Sequence, residues 1–218
     1  MNTFVIGDIH GRIEALQEVL LSSTFNYEKD KLIILGDIVD GGANSKECVD
    51  ELLKIKNKVF VLGNHDQWWM NSYKNDDMFD GWLSQGGLAT VQSYKSGIPD
   101  SHKAFFDSAI PYYIQDNMLF IHGGFDVWQK KTVEETPINH LIWDRDIINF
   151  VQKGNTIPGF KYVFIGHTTT QMHGGVTEPI KFNNLYMLDC GAGWNGKLCI
   201  MNIDTKKYWV SKLQKPVN

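Results

Sequence analysis

Five short apolar runs in this chain each stop beside a glycine and a side chain able to hold a metal ion or move a proton, and that repetition limits the fold more than any other feature. The first, Thr3-Phe4-Val5-Ile6, runs into Gly7-Asp8-Ile9-His10-Gly11. Residues 31–35 lead to Gly36-Asp37, and residues 58–62 to Gly63-Asn64-His65-Asp66. Residues 118–121 lead to His122-Gly123-Gly124, and residues 161–165 to Gly166-His167-Thr168. Apolar runs of this length, bounded by glycine, read as buried strands. Open α/β sheets bind ligands in the crevice beyond their strand ends, so the polar groups are expected to meet there.

Between the first three runs, residues 12–21 and 46–53 have helical character. Ile13, Leu16, Leu20 and Leu21 make one face of the first, and Asn44 or Ser45 is the expected cap of the second. Strand, helix, strand, helix, strand predicts an α/β fold with a mainly parallel sheet. Residues 67–110 break that rhythm and predict a helical insertion with breaks near Gly81 and Gly86-Gly87, ending in a helix over 101–109. A short helix is expected near 146–151. The tail reads as strands at 185–188, 197–203 and 207–213, more antiparallel than βαβ, with a turn at Asp204-Thr205. The 218 residues are expected to form one domain, 1–218, with the insertion as a cap.

The net charge of −4 gives no support for non-specific nucleic-acid binding. Cys48, Cys190 and Cys199 show no metal-ligand spacing, and a sparse, odd count fits a reducing compartment. With no signal-like start and no apolar run of membrane-spanning length, a cytoplasmic location without membrane contact is expected. The oligomeric state is open.

Asp8, His10, Asp37, Asn64, His122 and His167 together offer six O or N donors, more than one four-coordinate ion needs. They suit two ions with Asp37 as the shared bridge: Asp8, His10 and Asp37 for one, and Asp37, Asn64, His122 and His167 for the other. Two ions roughly 3.5–4 Å apart stabilise both the attacking and the leaving oxygen of a displacement. Without a thiolate, the donors suit Mn, Fe, Co or Zn better than Cu(I). His102, His140 and His173 lie outside the pattern and read as ordinary surface or core residues.

These runs resemble the motifs of the calcineurin-like metallophosphoesterases: Gly7-Asp8-Ile9-His10-Gly11, Gly36-Asp37-Ile38-Val39-Asp40-Gly41-Gly42, Gly63-Asn64-His65-Asp66, His122-Gly123-Gly124 and Gly166-His167-Thr168. Spacing and length are most similar to the compact, lambda-type protein phosphatases of bacteria and phages. The resemblance implies a four-layer α/β/β/α sandwich with two central sheets. It also implies a dinuclear site, commonly assayed with Mn, and phosphomonoester hydrolysis by direct attack of metal-bound hydroxide.

Beside the ligand Asn64, His65 is placed to give a proton to the leaving group, with Asp40 fixing its tautomer and Asp66 as a second candidate partner. Arg145, in Trp143-Asp144-Arg145-Asp146, has the fork geometry for two phosphate oxygens. The lambda-type enzymes use an arginine in a similar stretch. One departure is plain: Gly41 stands where most protein phosphatases of the family carry arginine, and Arg12 is the candidate substitute. Trp68, Trp69, Tyr73, Phe79 and Trp82 are expected to form the insertion's own core rather than a substrate rim. Cys190 reads as a buried small hydrophobe.

The expected activity is hydrolysis of phosphoserine and phosphothreonine proteins or peptides, with small phosphoesters also accepted. The alternative is a dinucleoside polyphosphate hydrolase, since loss of an arginine at Gly41 would admit a longer phosphate chain and the Trp-rich insertion would stack on adenine. A non-enzymatic, metal-bearing scaffold is the third reading, disfavoured by the intact ligands and His65.

Overall fold

The computed structural model describes residues 1–129 and 131–215. The first half alternates β1 (Thr3–Ile6), α1 (Ile13–Ser22), β2 (Lys31–Ile34), α2 (Ser45–Leu53) and β3 (Asn57–Phe60). The insertion supplies α3 (Asn64–Asn75), α4 (Asp80–Trp82), a π-helical turn at Leu83–Gly87, α5 (Leu88–Ser93) and α6 (Asp100–Asp107). Then come β4 (Tyr112–Gln115), β5 (Met118–Ile121), α7 (Ile138–Trp143), α8 (Asp146–Gln152) and β6 (Tyr162–Ile165). The chain closes with β7 (Ile180–Phe182), β8 (Leu185–Met187), β9 (Cys199–Asn202) and β10 (Tyr208–Val210).

The strands divide into two five-stranded mixed sheets, ordered β10-β9-β1-β2-β3 and β4-β5-β6-β8-β7. In the first, β1 pairs parallel with β2 and β2 with β3, while the tail strands β9 and β10 add antiparallel. In the second, β5, β6 and β8 are parallel, with β4 and β7 as antiparallel edges. The five apolar runs therefore belong to two sheets, three in one and two in the other.

Side-chain alternation explains the four layers. Val5, Ile33 and Leu35 point inward and meet Met118, Phe120, Phe164 and Leu188 of the other sheet. Their neighbours Ile6, Leu32 and Ile34 point outward under Leu16, Val19 and Leu20 of α1 and Val49 and Leu52 of α2. Leu119, Ile121, Val163 and Ile165 likewise cover α7 and α8 through Leu141, Ile147 and Val151. Strands apolar on both faces must be covered on both faces, which is why their runs read as continuous rather than alternating. Phe120 and Phe164 stack at 4.9 Å in the central layer, and burying each contributes about 1.5–3 kcal/mol.

Some boundaries differ from expectation. Neither Asn44 nor Ser45 makes a side-chain cap bond on α2. Gly81 lies inside α4, and the chain breaks instead at Asp76, which is left-handed with φ 55° and ends α3. The expected break at Gly86 is present, with φ 99°. The turn at Asp204-Thr205 forms because the Asn202 side-chain oxygen accepts both backbone N–H groups. Among the described residues, no helix is long and apolar enough to cross a membrane.

Candidate metal centre

The carboxyl ends of β1, β2, β5 and β6 and the start of α3 meet where the two sheets adjoin. The approach is close: a Cβ added to Gly166 would lie 2.2 Å from Asp8 Oδ1. His10, Asp37 and His167 all adopt left-handed backbone, with φ of 50°, 50° and 61°, a conformation costly for residues with a Cβ. It turns the loops after β1, β2 and β6 inward on one small pocket of 190 Å³, lined by His10, Asp37, Asn64, His65, Arg145 and His167 among others.

Two triads form there. Donor atoms of His10, Asp37 and His65 lie within 4.8 Å of one another, as do those of Asp37, His122 and His167. Asp37 belongs to both, as a bridging carboxylate would. Its Oδ2 lies 3.8 Å from His10 Nε2 and 3.3 Å from His122 Nε2, while its Oδ1 accepts the backbone N–H of His65 at 3.0 Å. Asn64 Oδ1 lies 2.9 Å from His122 Nε2 and 2.8 Å from His167 Nδ1. Asp8 is in neither triad. Its Oδ2 accepts the His167 backbone N–H at 2.9 Å, and its buried Oδ1 has no hydrogen-bond partner.

These donors fit metal ions. His122 Nδ1 reaches only the Leu35 carbonyl, at 2.6 Å, and must be its N–H; His10 Nδ1 likewise donates to Val39 O at 3.0 Å. His10, neutral, is left with an Nε2 lone pair turned toward Asp37 Oδ2; burial would lower His122, but Asp37 outweighs it and raises that ring, whose Nε2 faces oxygens of Asp37 and Asn64. Electron pairs facing one another in a buried site call for a cation between them. Burial, with help from neighbouring histidines, pushes His10 down to about 4 and His167 down to about 3, so both are neutral ligands at neutral pH. Burial would raise Asp37, but His122 and His65 outweigh it and hold the carboxyl well below its usual range. Burial, Asp189 and Asp37 push Asp8 well up, and burial and Asp37 push Asp66 up to about 7. A pocket with this much carboxylate takes positive charge readily. The two clusters, sharing Asp37, match the dinuclear centre of a metal-dependent hydrolase.

Around them, His65 Nδ1 donates to Asp40 Oδ2 at 2.7 Å, which leaves Nε2 for the pocket. Burial lowers His65, but Asp37 and the bond to Asp40 outweigh it and push it up to about 9. Asp40 is fully buried. It also accepts Trp82 Nε1 at 2.8 Å and the Thr90 hydroxyl at 2.6 Å. Trp82 and Thr90 thus brace the pair from inside the insertion, a duty no local sequence pattern announces.

Three expectations need correction. Asp66 is no partner of His65: its carboxylate accepts the backbone N–H groups of Asp37 at 2.7 Å, Ile38 at 3.0 Å and Gly63 at 3.2 Å. Arg12 does not replace an arginine at Gly41, because its guanidinium donates to the carbonyls of Ala192, Gly193 and Trp194. The aromatic residues of the insertion divide. Trp69 and Trp82 are core, with Tyr73 packed against them, but Trp68 packs edge-on to His65 and against Trp143 and the part-exposed Phe79. Sequence reading also missed Asp189, which lines the pocket and is raised to about 6, chiefly by burial. Its only signal was a place in Leu188-Asp189-Cys190-Gly191. Arg145 lines the pocket as expected, Cys190 is buried, and His102 is a satisfied core residue bonded to Tyr94 and Asp50.

Comparisons with known proteins agree with this geometry. The model of the family "Calcineurin-like phosphoesterase" matches residues 1–171. Serine/threonine-protein phosphatase 1 of Salmonella typhimurium is 24% identical over 93% of this chain and 92% of its own length. A symmetrical bis(5'-nucleosyl)-tetraphosphatase of Buchnera aphidicola is 41% identical, over 38% of this chain and a third (33%) of its own length. Among solved structures, one provisionally assigned as a diadenosine tetraphosphatase superposes with TM-score 0.74 at 18% identity, covering 98% of this chain and 93% of its own. A serine/threonine phosphatase of Saccharomyces cerevisiae gives 0.61 at 16%, covering 100% and 81%.

Proposed function

The chain belongs to the calcineurin-like phosphoesterase family, and on that premise we propose that it hydrolyses dinucleoside polyphosphates. The observation that carries this reading is Gly41. Its backbone is left-handed, with φ 77°, and the insertion's Gly86 presses so closely on it that a Cβ on Gly86 would lie 2.3 Å from Gly41 N. A side chain at 41 is strained, and no guanidinium closes the pocket on the Asp40 side. In this reading a longer phosphate chain extends toward the neighbouring groove that Gly41 lines. The similarity to tetraphosphatases in sequence and in fold supports the same reading.

Asp8, His10 and Asp37 would hold one ion, and Asp37, Asn64, His122 and His167 the other. When bound, such ions withdraw charge from phosphoryl oxygens and acidify coordinated water. We assign Mn first, with Fe, Zn and Co as alternatives. His65 Nε2 gives a proton to the oxygen that leaves phosphorus, Asp40 holds the ring in that tautomer, and Arg145 orients the phosphoryl group under attack. The buried free thiols support a reducing, cytoplasmic setting.

Full-length similarity to the Salmonella enzyme favours a second reading, a phosphoserine or phosphothreonine protein phosphatase of compact, lambda type. The test compares kcat/KM of Mn-loaded protein on a dinucleoside tetraphosphate and on a phosphoserine peptide, with metal-stripped protein as control. Preference for the tetraphosphate is expected. Preference for the peptide replaces our reading with the second, and no metal-dependent turnover of either removes both.

A further inference from the structure

We propose that a groove beside the metal pocket is a nucleobase subsite, with Trp194 as its stacking face. The groove has a volume of 510 Å³ and runs between the insertion, through Leu83, Leu88 and Gln92, and the tail, through Trp194 and Asn195, with Gly41 at its floor. That size lies within the range of about 300–1,000 Å³ typical of small-molecule sites. It adjoins the metal pocket, since Trp194 lines both. Gly41, next to Asp40, lines it and puts no side chain into it.

The chemistry of its walls selects the occupant. No lining residue is charged, so the phosphates stay in the metal pocket and the groove takes a neutral group. Trp194 and Leu88 are 57% and 54% exposed, an apolar pair of which Trp194 supplies the flat face. Ser84, Gln92 and Asn195 add donors and acceptors at the edges. A flat ring system with hydrogen-bonding edges matches that wall, and a nucleobase is such a group. The insertion's tryptophans do not line this groove: Trp69 and Trp82 are buried, and Trp68 packs against His65 and Trp143.

This inference rests on the dinucleoside polyphosphate reading, and its test separates the two. Binding of adenosine 5'-monophosphate and of ribose 5-phosphate to the metal-loaded protein is measured by calorimetry, for wild type, Trp194→Ala and Trp194→Phe. The nucleotide should bind at least about tenfold more tightly than the sugar phosphate, the worth of one base–aromatic stack. Trp194→Ala should lose that margin and Trp194→Phe should keep it. The ratio of kcat/KM on dinucleoside tetraphosphate to that on a small aryl phosphate should fall about tenfold in Trp194→Ala. Equal binding of the two probes to wild type, or a margin that survives Trp194→Ala, overturns the subsite. Tetraphosphate turnover indifferent to Trp194 overturns the subsite and leaves the proposed function standing. Base-dependent binding through Trp194 in a protein that cleaves only phosphopeptides upholds the subsite and overturns that function.

Discussion

Asp40→Asn tests proton delivery most directly, because the structure shows how the variant keeps its fold while losing one charge. The carboxylate accepts three bonds. His65 and Trp82 both give to Oδ2, and Thr90 gives to Oδ1. An asparagine turned with its carbonyl toward His65 and Trp82 keeps two of them. Its amide then faces the Thr90 hydroxyl, which can accept and turn its own proton toward Ser45 Oγ, 3.2 Å away. The loss is the charge on one hydrogen bond: about 1.5–3 kcal/mol for a charged partner against about 0.5–1.5 for a neutral one, a difference of about 1–1.5 kcal/mol. That is about one pKa unit, and it falls on His65, whose imidazolium Asp40 stabilises. The acid form is present below its pKa, so the alkaline limb of kcat/KM should move down by about one pH unit. The shift should appear with alkyl phosphates, whose leaving oxygen needs a proton, and should be absent with p-nitrophenyl phosphate. An unmoved limb, or the same shift on both substrates, would refute the assignment of His65 as acid and Asp40 as its support.

Four further outcomes are expected. Asp37→Asn should lose both ions and nearly all activity, and wild-type metal content by atomic absorption would contradict a shared carboxylate. Arg145→Ala should raise KM about tenfold or more, with a smaller fall in kcat, if its fork holds the phosphoryl group; unchanged steady-state kinetics would remove it from that role. Trp82→Phe keeps the packing but removes a donor to a buried carboxylate, so it should cost about 1.5–3 kcal/mol and lower Tm by about 3–12 °C in thermal melts; an unchanged Tm would make that bond worthless. In metal-stripped protein, burial lowers His65 but Asp37 and Asp40 outweigh it and push it up to about 9, while burial and Asp37 push Asp66 up to about 7. The folded chain therefore holds protons that the unfolded chain has released, and stability should fall as pH rises from about 6.5 to about 9 through His65, with Asp66 contributing only up to about 7. Melts across that range would count against this if Tm held level or rose, and Mn should flatten the slope by favouring the ionised carboxylates.

Much of the candidate site was legible because each proposed ligand stands just past a buried strand, so local pattern carries its position. Asp8, His10, Asp37, Asn64, His122 and His167 all stand where an apolar run stops. The partition of those strands between two sheets was not local information. It depends on the sandwich packing Val5 and Ile33 against Phe120 and Phe164, and only the family resemblance implied it. The bonds from Trp82 and Thr90 to Asp40 span 42 and 50 residues, beyond any periodicity. Arg12 misled for the opposite reason: it is near the first motif in sequence, while its carbonyl partners lie some 180 residues away.

Asp66 accepts the Asp37 backbone N–H, and Asp37 in turn accepts that of His65. Each acid holds the loop that carries the other, so neither loop has its shape alone. Recombination with a relative should respect that boundary: a chimaera taking residues 36–42 from one parent and 63–66 from another would inherit half of a mutual grip, whereas moving both segments together would transplant the scaffold whole.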